Sequence, residues 1–177
     1  MPVFSYWLVP AEPLRTEVGT LMQQLARRFF AVEFEPHVTI YSGPSTHQEV
    51  AANVALCANE FRPIALTPQS LQVSQALTKT LFIQLEPSAG LQALHDFIKR
   101  RSTAASSYVF NPHISLLYQV LPPAVLDELA SRIPMPRGPY RFDTLQVIAS
   151  DVPTQTVDDI RRWSYLQRVS LGAGPAR

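Results

Sequence analysis

The chain opens on an apolar run, Val3-Phe4-Ser5-Tyr6-Trp7-Leu8-Val9, which Pro10 and Pro13 cut to the length of a strand. Leu14, Val18, Leu21, Met22, Leu25 and Phe29 then recur at helical spacing behind Pro13, with Arg27 and Arg28 at the negative end of the dipole, so an amphipathic helix follows. Pro36 to Ile40 reads as the next strand. Ser45-Thr46-His47-Gln48-Glu49 carries overlapping capping-box signals for a second helix running to about Asn59. Ile64 to Val73, broken at Pro68, and Thr80 to Glu86 read as two strands joined by a turn around Ala76-Leu77-Thr78, able to pair as a hairpin. A third helix is predicted from about Pro87 to Arg101 through Leu91, Leu94 and Ile98, then an extended aromatic stretch at Tyr108-Val109-Phe110. Pro112 to Leu116 is a strand, and Pro122 and Pro123 start a fourth helix containing Val125, Leu126 and Leu129. Phe142 to Ala149 and Trp163 to Leu171 close the pattern as strands, and residues 172–177 are expected to form a flexible tail.

The order strand, helix, strand, helix occurs twice. Mixed strands and helices with prolines between them argue for an α+β fold in which antiparallel sheets are backed by helices. The third element of each half carries the same pattern: Pro36-His37-Val38-Thr39-Ile40 and Pro112-His113-Ile114-Ser115-Leu116. On a strand, successive side chains point to opposite faces. His37 and Thr39 therefore project together with Val38 and Ile40 packed behind, and His113 and Ser115 repeat the arrangement over Ile114 and Leu116. Two of the four histidines carry this pattern, which is improbable as coincidence in ordinary composition. The rival readings are a pair of core histidines and a metal site. Zinc takes three or four ligands, and neither Cys nor a third His nor a carboxylate repeats beside the pair, so no metal is expected. His47 reads as an exposed helix-start residue, and His95 as structural or exposed.

Composition narrows the partners. With 177 residues and 46% hydrophobic content the chain can build one domain or two small intimate lobes. A net charge of +1 gives no footprint for a long polyanion, although a local pocket for a small anion remains compatible. Lys99-Arg100-Arg101 and Arg161-Arg162 read as solvated faces. Cys57 is single, sits in an alanine-rich helix and reads as a small buried hydrophobe, so nothing requires an oxidising compartment. The first strand has no basic segment before it and no cleavage-like site, and reads as neither signal nor membrane anchor.

The doubled His-x-Thr/Ser, one copy per half, resembles the two-histidine (2H) phosphoesterase superfamily. Within it, the aromatic first strand and Asn111-Pro112-His113-Ile114-Ser115-Leu116-Leu117-Tyr118 are similar to the small cyclic phosphodiesterases of plants and yeast. The resemblance implies a single domain over 1–177 made of two interleaved, pseudo-symmetric lobes, each with an antiparallel sheet backed by helices and a catalytic cleft between them. It implies hydrolysis of a 2',3'-cyclic nucleotide or ADP-ribose 1'',2''-cyclic phosphate by a cytoplasmic monomer that needs no cofactor or metal. His113 would be the base that activates water and His37 the acid that protonates the leaving oxygen. Thr39 and Ser115 would donate to the phosphate oxygens. Trp7 and Tyr118 fall where related enzymes carry ligand-contacting aromatics on which a base could stack at roughly 1–3 kcal/mol, though either can equally be a core residue. Tyr41, two residues beyond Thr39 and so on its face, is a third candidate for substrate contact, although it is not the symmetry equivalent of Tyr118. Two alternatives stay open: a phosphodiesterase acting on RNA termini, and a silent nucleotide-binding or RNA-end-binding module.

Overall fold

The computed structural model describes residues 1–150 and 154–172. Strand β1 (Val3–Pro10) leads through α1 (Leu14–Phe29) to β2 (Val38–Pro44) and α2 (His47–Glu60). The second half runs β3 (Ile64–Leu66), β4 (Pro68–Val73), a short 3-10 turn (Leu77–Lys79), β5 (Leu81–Leu85), α3 (Ala89–Arg101), β6 (His113–Leu117) and α4 (Pro123–Arg132). The chain closes with β7 (Tyr140–Ser150), α5 (Val157–Arg161) and β8 (Ser164–Ser170). No helix among the described residues is long and apolar enough to cross a membrane.

The strands form two antiparallel sheets. The larger has five strands in the order β2-β1-β7-β3, with β8 also paired to β7, and the smaller has three in the order β4-β5-β6. This is the α+β architecture the alternation predicts. β1 lies between β2 and β7; Phe4, Tyr6 and Leu8 on one face belong to the core, while on the other face Trp7 is buried beneath the His37 ring and Val9 is buried as well.

Each half's first helix crosses over. α1 buries Leu14, Val18, Met22 and Leu25 and packs mainly on β6 of the smaller sheet. α3 buries Leu91, Leu94, His95 and Ile98 and packs on β2 of the larger. Within α3, His95 is a core residue whose Nδ1 lies 2.7 Å from the Ile40 carbonyl. α2 begins with the expected capping box between Thr46 and Glu49, which satisfies amide donors at its open end. His47 is exposed at its start.

Two elements differ from the sequence expectation. Ile64 to Val73 is not one interrupted strand: Ile64–Leu66 pairs with β7 in the larger sheet, while Pro68–Val73 pairs with β5 in the smaller. A proline has no N–H to give a ladder, and Pro68 stands where the chain changes sheets. Helix α5 went unforeseen because its five residues are too few to show a period, although Thr156 and Asp159 form a capping box. Tyr108-Val109-Phe110 belongs to no regular element. Of the expected flexible tail, residues 173–177 lie outside the described residues; Gly172, at φ +79°, donates its N–H to the Ala58 carbonyl.

Candidate active site

The ladder across the larger sheet aligns Thr39 of β2, Trp7 of β1, Gln146 of β7 and Arg168 of β8 as successive cross-strand partners. Directly opposed residues share a face, so this row runs across the concave side of the sheet. His37 ends the loop before β2 and lies flat on Trp7, ring centroids 3.6 Å apart and planes 8° from parallel. In the smaller sheet Ser115 of β6 opposes Phe82 of β5, and His113 meets the Phe82 ring edge-on at 5.4 Å. Trp7 and Phe82 are thus counterparts, each across the ladder from the hydroxyl residue and in contact with the histidine.

The two imidazoles are held alike. His37 Nδ1 is 2.7 Å from the Glu35 carbonyl, and His113 Nδ1 is 2.7 Å from the Asn111 carbonyl. A carbonyl only accepts, so each Nδ1 carries its proton and donates, and in the neutral ring Nε2 keeps a lone pair. His37, Thr39, His113 and Ser115 all line one cavity of about 490 Å³ between the sheets. A neighbouring pair of acid/base nitrogens and hydroxyls in one cleft can move protons at a phosphorus centre and hold its oxygens.

Burial sets the charge state. It pushes the His37 imidazole down to about 3, against the raising effect of the Glu35 carbonyl, and nearby His113 adds to the depression. His113 is also lowered, first by burial, with the Asn111 carbonyl opposing and the Lys79 ammonium contributing. Both rings are therefore neutral in the empty cleft near pH 7. Lys79 itself sits over the Phe82 ring at 4.3 Å, and burial lowers its affinity for a proton. The Tyr118 hydroxyl is 3.5 Å from His37 Nε2, at the long limit of a hydrogen bond, and burial raises its pKa, so it stays a neutral phenol.

The hydroxyls are not equivalent. Ser115 Oγ donates to the Thr78 carbonyl at 2.8 Å, whereas the Thr39 hydroxyl has no partner among the described residues. Both expected aromatics border the cavity, but one ring face of each is already covered. His37 lies on Trp7, and Phe34 stacks on Tyr118 at 3.6 Å. With Trp7 1% and Tyr118 3% exposed, these rings orient the His37 end of the site and leave little surface for a base.

Tyr41 requires a correction. It does not line the cavity but packs in the core, because Tyr6 pairs with Tyr41 while Trp7 pairs with Thr39. Ile40 is the extra residue of a β-bulge, which reverses the alternation beyond it and turns Ser42 toward the cleft in place of Tyr41.

The structure adds residues that strand-by-strand reading missed. Trp163 is a half-buried aromatic on the cavity wall, its Nε1–H donating to Thr154 Oγ1 at 3.0 Å. The segment 105–109 forms another wall, tied to β2 by Ser106 Oγ donating to the Ser42 carbonyl and Tyr108 Oη donating to the Thr39 carbonyl at 2.7 Å. The Tyr108 aromatic signal was visible in the sequence; its partner 69 residues away was not. Among the described residues no group of three or more His, Cys, Asp or Glu is assembled that could hold a metal ion.

Comparison with known proteins places the chain in a family. The family model of the 2'-5' RNA ligase superfamily matches residues 10–154. A protein of Phaeosphaeria nodorum named 2',3'-cyclic-nucleotide 3'-phosphodiesterase is 31% identical over 138 residues, covering 69% of this chain and 72% of the relative. The fold is shared with LigT of E. coli, solved with 3'-AMP (TM-score 0.57, 18% identity, 97% of this chain and 99% of that one). It is shared also with TT0787 of Thermus thermophilus (TM-score 0.57, 16% identity, 99% and 100%). The chain belongs to the 2'-5' RNA ligase superfamily, the two-histidine phosphoesterases, and is a phosphodiester hydrolase of that class.

Proposed function

We propose that this protein is a cyclic phosphodiesterase that opens 2',3'-cyclic nucleotides with His37 and His113 as its acid/base pair. The observation that carries this reading is the doubled arrangement in one cleft: two imidazoles with Nδ1 bound to a backbone carbonyl, each beside a hydroxyl residue. One ring takes a proton from water as its oxygen attacks phosphorus, the P–O3' bond breaks, and the other ring's proton goes to O3'. The product is then the nucleoside 2'-phosphate, in keeping with the name of the Phaeosphaeria relative. Family resemblance assigns His113 as base and His37 as acid. Burial opposes a proton on His37 in the empty cleft, so the negative charge of the bound phosphate must raise its proton affinity enough for the ring to take up a proton from solvent as the substrate binds. Thr39 and Ser115 donate to the non-bridging oxygens, where charge grows in the transition state. No step of this scheme uses a metal.

No described residue lining the cavity is an Asp, Glu, Lys or Arg, and the two imidazoles are neutral while the cleft is empty. Such a lining suits a substrate with a single negative charge better than the pyrophosphate of ADP-ribose cyclic phosphate or a phosphate-rich RNA end. The deciding experiment is incubation with 2',3'-cyclic AMP in EDTA, followed by separation of 2'-AMP from 3'-AMP. Accumulation of 2'-AMP supports the reading. Binding of the cyclic nucleotide at every pH without turnover sinks it in favour of a silent binding module, and activity that vanishes with EDTA and returns with zinc or manganese makes the histidines metal ligands.

A further inference from the structure

The carbonyls that grip the two imidazoles belong to residues whose side chains are themselves anchored, and the two anchors are chemically different. Glu35 lends its carbonyl to His37, while its carboxylate receives Arg168 Nη1 at 2.9 and 3.1 Å. The same Nη1 donates to Gln146 Oε1 at 2.8 Å, and Gln146 is buried beside Trp7, on which His37 lies. Arg168, Gln146, Trp7 and the Glu35-Pro36-His37 turn thus close a ring around one imidazole. On the other side Asn111 lends its carbonyl to His113, while its Oδ1 accepts from Gln84 Nε2 at 2.9 Å, and the same Nε2 donates to the Pro112 carbonyl at 2.9 Å. Gln84 is the direct cross-strand partner of His113.

We infer that Arg168 with Glu35, and Gln84 with Asn111, are two independent sets of positioning residues, the first ionic and the second neutral, each holding the tautomer and aim of one imidazole. Neither set lines the cavity, so neither touches substrate. The residue two before each histidine is the lever: its main chain orients Nδ1–H, and its side chain decides how firmly that main chain is held. The Arg168–Glu35 pair is partly exposed, with side chains 39% and 23% accessible. It is therefore open to screening by salt, whereas the amide pair is not. The role in turnover rests on the acid/base reading above; the hold on each ring does not.

The test compares Arg168→Ala, Arg168→Lys and Glu35→Gln with Gln84→Ala and Asn111→Ala, in the full chain. Two readouts are taken: imidazole 15N shifts, and kcat on cyclic AMP against an analogue with a very good leaving group. Loss of aim should lower kcat on the order of ten- to a hundredfold with little change in KM. In the Arg168 and Glu35 variants only the His37 nitrogens should shift, and the leaving-group behaviour should copy that of His37→Ala. The Gln84 and Asn111 variants should copy His113→Ala. Arg168→Lys, which keeps the charge but not the fork, should recover part of the rate, and high salt should weaken wild-type kcat without slowing Arg168→Ala further. Equal disturbance of both histidines in every variant would reveal general damage and overturn the inference, as would unchanged nitrogens and rates. If wild type fails to turn over any cyclic phosphate while the selective 15N shifts persist, the acid/base reading falls and the positioning stands.

Discussion

His37 belongs to the larger sheet, buried flat against Trp7 and tied through Glu35 to an arginine. His113 belongs to the smaller sheet, half-buried, edge-on to Phe82, near Lys79, and tied through Asn111 to an amide. The motif is the same; the surroundings are not. Burial is the larger effect on both rings and is stronger at His37, so the two nitrogens differ in basicity although their carbonyl bonds match. What the comparison teaches is that a repeated sequence motif supplies reagents, while the rest of each sheet sets how readily each reagent takes a proton.

The sharpest way to break that comparison is to delete each ring. His37→Ala and His113→Ala should each lower kcat on 2',3'-cyclic AMP by roughly 10²–10⁴-fold. A substrate with a very good leaving group should then rescue His37→Ala and not His113→Ala; the opposite rescue would exchange acid and base.

The hydroxyls come next. Thr39→Ala should cost on the order of ten- to a thousandfold in kcat, and more than Ser115→Ala, because Ser115 already donates to the Thr78 carbonyl. Equal losses would mean that Ser115 abandons that bond in the transition state.

A third comparison is between the empty and the occupied cleft. Both imidazoles bind protons weakly when the cleft is empty, and a phosphate anion strengthens proton binding. The bell for kcat/KM, which reports the free enzyme, should therefore peak on the acid side of the bell for kcat, which reports the complex. Profiles on cyclic AMP whose maxima coincide would show that substrate does not shift the pair.

The smallest effect is on stability. In the unfolded chain His37 takes a proton near its ordinary value of about 6.5, while the folded protein resists doing so down to about 3. The unfolded state thus holds more protons in that window, and stability present above pH 6.5 is lost progressively as pH falls toward 3. The slope approaches on the order of 1 kcal/mol per pH unit at its steepest. Thermal melts of His37→Gln should show a flatter fall across this range than wild type, and His113→Gln a smaller flattening.

The features that could be read from the chain were those written locally. The two His-x-Thr/Ser strands, the helices α1 to α4 and the Thr46 cap are each set by residues within a few positions of one another, and the structure contains all of them. The pairing of β4 with β5 was equally local. The misplaced details depend on partners far along the chain. The bulge at Ile40 exists only in register with β1, the jump at Pro68 depends on β7, and the Arg168 grip on Glu35 spans 133 residues. Hydrophobic period carries no information about such pairings. It also carried Trp163 only as an alternating strand residue, with no hint that the cleft would use it as a wall.

The crossed packing of α1 and α3 has a consequence for how the molecule can be divided. α1, made by the first half, supports the strand that carries His113, and α3, made by the second, supports the strand that follows His37. A chain cut in the link between α2 and β3 would leave each fragment with half the reagents and with the other fragment's scaffold. Each piece would keep the nearest holders of its own ring but lose the helix that backs its histidine strand, so activity should return when the two pieces reassemble, and its recovery would report their association.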